Sequence, residues 1–125
     1  MAFLDKVFVG YVTIVWRSKY PPFNKNNIPE IVDLNVLPKY QRQKIGTKLM
    51  DKAEEIISQK YKVVGIGVGL APGYNAAQRM YVCRGFIPDG LGVWYGDKSV
   101  RYGQKVEIND SLVLHLTKQL NQESR

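Results

Sequence analysis

The order of elements written in the sequence predicts an α/β (α+β) fold built on a mixed sheet, and three observations carry that prediction. Runs of β-branched and aromatic residues recur at Val7 to Trp16, Glu30 to Leu37, Val63 to Leu70 and Ser111 to Lys118. Between the second and third runs the apolar residues change to steps of three and four, the period of a helix. A shorter helical stretch lies between Asn75 and Gly85. Strands, helix, strand, helix, strands describe a layered sheet with helices rather than a bundle or a sandwich. The 125 residues, 45 % of them apolar, are about one domain's worth. No repeat, low-complexity tract or linker divides them, so a single domain over 1–125 is expected.

Each element has its own signature. Ala2 to Leu4 and Val7 to Trp16 flank Asp5-Lys6, the spacing of two strands joined by a tight turn. Pro21, Pro22, Asn24, Asn26 and Asn27 mark one long loop. Glu30 to Leu37 is the next strand, and Pro38 ends it. From about Arg42 to Gln59, Ile45, Leu49, Ala53, Ile56 and Ile57 form the stripe of an amphipathic helix. In the strand Val63 to Leu70, Gly65, Gly67 and Gly69 share one bare face by period two, and glycine within a strand often marks a close approach. The second helix opens at Asn75, an N-cap residue type, and closes at Gly85, a C′ residue type. Further strands follow near Phe86, at Val93 to Tyr95 and at Ser111 to Lys118.

Cys83 is the only cysteine. It excludes an internal disulfide or a CxxC metal knuckle, suits a reducing compartment, and reads as a packing residue of the second helix. The longest apolar stretches fall far short of the ~20 residues of a membrane span, and no basic n-region with a cleavage site opens the chain. A cytoplasmic protein without a membrane partner is expected. His115 is the only histidine, so no metal site is expected and its role is read as surface or structural. The formal net charge of +7 invites an anionic partner. Its positive residues gather at one helix start instead of forming a stripe interleaved with aromatics, which argues against a nucleic-acid partner.

That helix start carries the wrong charges for its own dipole. Lys39, Arg42, Lys44 and Lys48 come first and Asp51, Glu54 and Glu55 later, whereas anions are favoured at the N-terminus and cations at the C-terminus. No Ser, Thr, Asp or Asn stands just ahead as a cap, so the first N–H groups have no side-chain acceptor. Free N–H groups beside basic side chains make an anion site, and Gly46 removes a Cβ where a phosphate could approach the backbone. Read alone, the same residues also describe a solvated basic patch.

The segment PEIVDLNVLPKYQRQKIGTKLMDKAEE resembles the acetyl-CoA-binding motif of the GCN5-related N-acetyltransferases, in which an apolar-x-Val-x-Pro strand end leads into (Q/R)-x-x-G-x-(G/A) at the head of a helix. Gln41, Arg42, Gln43, Lys44, Ile45 and Gly46 occupy the six positions, with Lys44 in place of the usual glycine. NAAQRMYVCRGFIPDG, from Asn75 to Gly90, resembles the family's later helix with its Asn, its Tyr and the closing Gly-Phe. The resemblance runs from Ala2 to about Lys118. It implies a mixed, mostly antiparallel sheet flanked by helices, acetyl-CoA as cosubstrate, and transfer of an acetyl group to a primary amine of a small molecule or protein.

By position, the resemblance implies that the main chain of Leu34 and Val36 holds the pantetheine arm and thioester, with the Val36 amide donating to the thioester oxygen. Gln41, Arg42, Gln43, Lys44, Ile45, Gly46 and Thr47 would hold the pyrophosphate, and Asn75, Tyr81 and Arg84 would contact the cofactor from the second helix. Tyr81 matches the tyrosine that protonates the departing thiolate; a buried core tyrosine is the alternative. An amine with a pKa near ~10.4 needs a base at neutral pH, and Glu30 matches the catalytic glutamate of the histone-acetylating branch. Asp33 competes, and a base acting through water is equally compatible. Strand alternation would put Glu30, Val32, Leu34 and Val36 on one face and Asp33 with Asn35 on the other. A helix, or else the cofactor arm, is expected against the glycine face of Val63 to Leu70. Tyr20, Phe23, Tyr74, Trp94 and Tyr95 are candidates for the acceptor wall or for packing.

Family members usually carry a further strand and two helices ahead of the strand pair that begins here at Ala2. The expectation is therefore a short or atypical member, a start at an internal methionine, or a gap filled by a partner subunit such as a second copy. Two other functions stay open on the sequence: a non-catalytic acyl-CoA sensor, and a basic nucleic-acid-binding domain.

Overall fold

The computed structural model describes residues 2–4, 7–36 and 44–120. They form two compact units, the first made of the described residues up to 64 with Leu120, the second of residues 65–119.

In the first unit, β1 (Ala2–Leu4), β2 (Val7–Val15) and β3 (Glu30–Val36) lie side by side in that order, each pair antiparallel. α2 (Ile45–Ser58) packs against β2 and β3 with Leu49, Met50, Ala53, Glu54 and Ile57 buried. Met50 and Ile57 are fully buried, each removing enough apolar surface from water to contribute about 1.5–3 kcal/mol. Ile56, expected in the stripe, lies at its flank and is 37 % exposed. The buried set is centred on Leu49, Ala53 and Ile57, and one residue of helix turns Ile56 about 100° from that line.

The segment expected as loop contains a short helix, α1 (Pro21–Lys25). Pro21 and Pro22 occupy its first two positions, where the missing N–H costs nothing. Its end is closed by Asn27 in the left-handed region (φ 56). The Ile28 N–H donates to the Phe23 carbonyl at 2.9 Å and the Asn27 N–H to that of Asn24 at 3.2 Å, the paired bonds of a Schellman end. With only five residues, the helix offers no periodicity to read. Phe23 is its buried anchor, packed edge-on to Tyr20 with ring centroids 4.7 Å apart.

In the second unit, β4 (Val63–Gly69, from Gly65 onward), β7 (Leu112–Gln119), β5 (Ile87–Tyr95) and β6 (Lys98–Ser99) lie in that order, with β5 antiparallel to both neighbours. A 3-10 turn (Pro72–Tyr74) leads into α3 (Asn75–Cys83). Gly85, at φ 102, ends α3 as its residue type predicts. The Phe86 N–H reaches the Tyr81 carbonyl and the Gly85 N–H that of Val82, both at 3.0 Å.

At the two glycines of β4 whose surroundings are described, Gly67 and Gly69, side chains of the same unit come close. A Cβ on Gly67 would come within 3.1 Å of Val113 and 3.3 Å of the His115 ring, and a Cβ on Gly69 would overlap the Tyr74 ring. Side chains of β7 and of the 3-10 turn therefore lie against these two positions, the close approach that glycine within a strand marks. His115 is buried, in keeping with a structural role, and burial holds its imidazole down at about 4. Cys83 is exposed rather than packed. It lies two residues beyond the buried Tyr81, about 200° around the helix.

No helix among the described residues is long and apolar enough to cross a membrane. Among them, no three His, Cys, Asp or Glu side chains gather as a metal site.

Candidate active site

The first unit places Glu30 at the start of β3, half-buried and tied to the β2–β3 connection. The Ser18 hydroxyl donates to Glu30 Oε1 at 2.5 Å and itself accepts the Tyr20 N–H at 3.0 Å. Because the backbone N–H occupies the acceptor side of the serine oxygen, its proton is directed at the carboxylate. Asn24 Nδ2 donates to the Ser18 carbonyl at 3.1 Å, which fixes the same residue from α1. Burial raises the Glu30 pKa above 4.5, and the Ser18 hydrogen bond opposes that rise. A carboxylate with a raised pKa is a stronger base when ionised.

The alternation expected along β3 fails at Asp33. Val32 faces Thr13 while Asn35 faces Tyr11, so Asp33 and Leu34 together oppose a single residue of β2. This is a β-bulge, with Asp33 at φ 54 in the left-handed region that Asp tolerates better than most residues. The bulge turns Asn35 onto the face that Glu30 and Val32 share, where its amide donates to the Tyr11 hydroxyl at 3.2 Å. It also takes main-chain groups of Asp33 and Leu34 out of the β2 ladder. Leu34 is half-buried, Asp33 is exposed, and Val36 is the last residue of the strand, opposite Gly10.

Gln41, Arg42 and Gln43 lie outside the described residues. The remaining four positions of the predicted anion site open α2. Lys44 is its N-cap in the left-handed conformation (φ 60, ψ 22), with no side-chain cap and no acid in the first turn. Ile45 and Gly46 are half-buried and Thr47 is exposed. The helix therefore starts two to three residues later than Arg42, and the residue standing for glycine adopts the conformation that glycine adopts at least cost. Lys44 gives α2 no side-chain cap, and an uncapped helix start is a kind of backbone arrangement that suits phosphate.

The second unit holds Asn75, Tyr81 and Arg84 on α3. Tyr81 is buried, its ring centroid 6.0 Å from that of Phe86. Burial raises the phenol above its ordinary 10.0, so it keeps its proton at neutral pH. Asn75 is not the cap expected of it. It is exposed and already helical (φ −58, ψ −41), and Tyr74 takes the N-cap position without a side-chain bond. The 3-10 turn supplies the approach to the helix that a cap would otherwise define. Arg84 is half-buried at the C-cap. Gln78 Nε2 donates to the Gly69 carbonyl at 2.8 Å, tying α3 to the end of β4.

Sequence reasoning missed Ser18, Asn24 and the Tyr74–Asp110 hydrogen bond, which raises the Tyr74 phenol. Neither Ser18 nor Asn24 stands at a spacing that signals Glu30. Only the β2–β3 pairing and α1 bring the three together.

These features have the family pattern around them. The acetyltransferase (GNAT) family model matches residues 1–86, and the chain belongs to that family. It is 35 % identical over 88 residues to an uncharacterized N-acetyltransferase of Schizosaccharomyces pombe, a match spanning 70 % of this chain and 57 % of the relative's length. Its fold resembles a GNAT family acetyltransferase from Elizabethkingia anophelis with acetyl-CoA bound (TM-score 0.67, 20 % identity, 94 % of this chain and 72 % of the other). It also resembles the ribosomal-protein-alanine N-acetyltransferase of Brucella melitensis (TM-score 0.65, 21 % identity, 95 % and 66 %). The mostly antiparallel α+β architecture agrees with the fold expected.

Proposed function

We propose that residues 1–125 act as one cytoplasmic N-acetyltransferase domain, which transfers an acetyl group from acetyl-CoA to a primary amine by direct attack in a ternary complex. The observation that carries this reading is the head of α2. An uncapped helix start preceded by a left-handed residue, within a basic segment that carries the family motif, fits a pyrophosphate. Acetyl-CoA supplies the activated acyl group; the chain's own residues supply orientation and proton movement.

In this reading Glu30, with its proton-accepting oxygen set by Ser18, takes a proton from the acceptor ammonium directly or through one water. Leu34 and Val36 offer main-chain groups at and beyond the bulge, and the Val36 amide supports the negative charge that develops on the thioester oxygen. Tyr81 keeps its proton at neutral pH and gives it to the departing sulfur. Arg42, Lys44 and the first N–H groups of α2 hold the pyrophosphate, with Gln41, Gln43, Ile45, Gly46 and Thr47 shaping the turn. Asn75 and Arg84 support the cofactor from α3.

Two substitutions test the reading by calorimetry and turnover. Gly46→Glu places a side chain and a negative charge in the cradle and should abolish acetyl-CoA binding. Tyr81→Phe should leave binding intact and slow turnover about 10²- to 10⁴-fold, the usual contribution of a positioned acid. A folded natural chain that binds no acetyl-CoA, or a Tyr81→Phe protein that turns over normally, overturns the corresponding part.

A further inference from the structure

α1 and the ends of β2 and β3 enclose a small cavity in the first unit, of about 200 Å³, lined by Trp16, Arg17, Phe23, Asn24, Asn27 and Ile28. Its construction is that of a recognition site rather than a packing defect. Phe23 is buried to 1 % exposure and Ile28 is half-buried, which gives an apolar floor. Trp16, 46 % exposed, leans on Tyr61 with ring centroids 5.9 Å apart and leaves part of its indole to the cavity. Polar groups converge from the other sides. Arg17 lines the cavity with an exposed side chain that carries the one formal charge of the lining. Asn27 is fixed in its left-handed position by the Schellman end of α1, so the strained cap that stops the helix also sets an amide at the cavity.

One wall leads to the proposed base. Asn24 lines the cavity and donates to the Ser18 carbonyl, and Ser18 donates to Glu30. Two hydrogen bonds therefore separate the cavity from the carboxylate. An apolar floor with a few convergent polar groups is the make-up of a small-molecule site. A single guanidinium flanked by neutral amides matches the planar geometry and single charge of a carboxylate. A phosphate dianion would exceed the one formal charge in the lining.

Building on the acetyltransferase reading, we infer that this cavity recognises the acceptor, and that the acceptor is an amine bearing a carboxylate, which Arg17 and the two asparagines hold while the amine is presented to Glu30. The cavity sets specificity and takes no part in the proton transfers.

The test compares 5-aminovalerate with 5-aminovaleramide, which has the same amine and length without the charge. 5-Aminovalerate should quench or shift Trp16 fluorescence without acetyl-CoA present, and should be acetylated with kcat/KM at least tenfold above the amide. Arg17→Gln, at an exposed position, should remove that preference by raising KM for 5-aminovalerate at least tenfold, to the range of the amide. Equal kinetics for the two compounds, or a preference that survives Arg17→Gln, overturns the inference while leaving an active acetyltransferase in place. Failure of the acetyltransferase reading has a different signature, no acetyl-CoA binding by calorimetry. In that event the fluorescence response to 5-aminovalerate, and its loss in Arg17→Gln, still decides whether the cavity binds a carboxylate.

Discussion

Replacing Lys44 by glycine should make the protein more stable, although it deletes a side chain and a charge. Lys44 sits at φ 60, ψ 22, where a Cβ crowds the following carbonyl at a cost of about 1–2 kcal/mol. Glycine is free of that cost but gives the unfolded chain extra freedom, a loss of about 0.4–1 kcal/mol. The balance leaves Lys44→Gly more stable by about 0.5–1 kcal/mol, or about 2–4 °C in Tm for a chain of this size. Lys44→Ala is the control, because it removes the same charge and keeps the strain. Thermal and urea unfolding of the three proteins measures the order directly. A glycine variant no more stable than the alanine variant would refute the assignment of strain to this cap. Acetyl-CoA titration of the same proteins separates charge from main chain. If the N–H groups of α2 carry the pyrophosphate, both variants should bind within about fivefold of the natural chain, the worth of one exposed charge.

Two further outcomes follow from buried titratable groups. Glu30→Gln keeps an oxygen for the Ser18 hydroxyl and removes a charge that burial disfavours, so it should raise Tm at pH 7 while lowering kcat/KM about 100-fold or more; a fall in both would mark Glu30 as structural instead. His115 titrates near 4 in the folded chain and near 6.5 when unfolded. The unfolded chain therefore takes the proton first, so the stability tied to a neutral His115 is whole above pH 6.5 and drains away as the pH falls towards 4, by about 3 kcal/mol in all. Glu30 contributes the opposite slope, since its raised pKa favours the folded state at low pH and that share is lost as the pH rises through it. Urea unfolding from pH 7 to pH 4, with His115→Gln as the comparison, isolates the histidine; an unchanged slope in that variant would exclude it as the cause.

The amino-acid sequence by itself determined the order of the main strands and helices and the family, and it marked the basic, uncapped start of α2. Those features rest on local information: apolar spacing along α2, β-branched runs, the terminating Gly85, and basic residues placed against a helix dipole. It also marked Lys44 as a departure, although the left-handed backbone that makes the departure costly is visible only in three dimensions. Tertiary structure decided what local spacing does not encode. The bulge at Asp33 depends on how β3 registers against β2, and one inserted residue was enough to move Asn35 onto the face of Glu30. α1 is too short to show a period, and Asn75 lost its capping role to a 3-10 turn formed just before it. Ser18 and Asn24 meet Glu30 because a strand pairing and a short helix fold the β2–β3 connection back on itself. Spacing along a chain fixes which faces are apolar, whereas hydrogen-bond partners and cavities arise from pairings between distant segments, so the Ser18 partner of Glu30 and the cavity lined by Asn24 had no signature until the strands were in register.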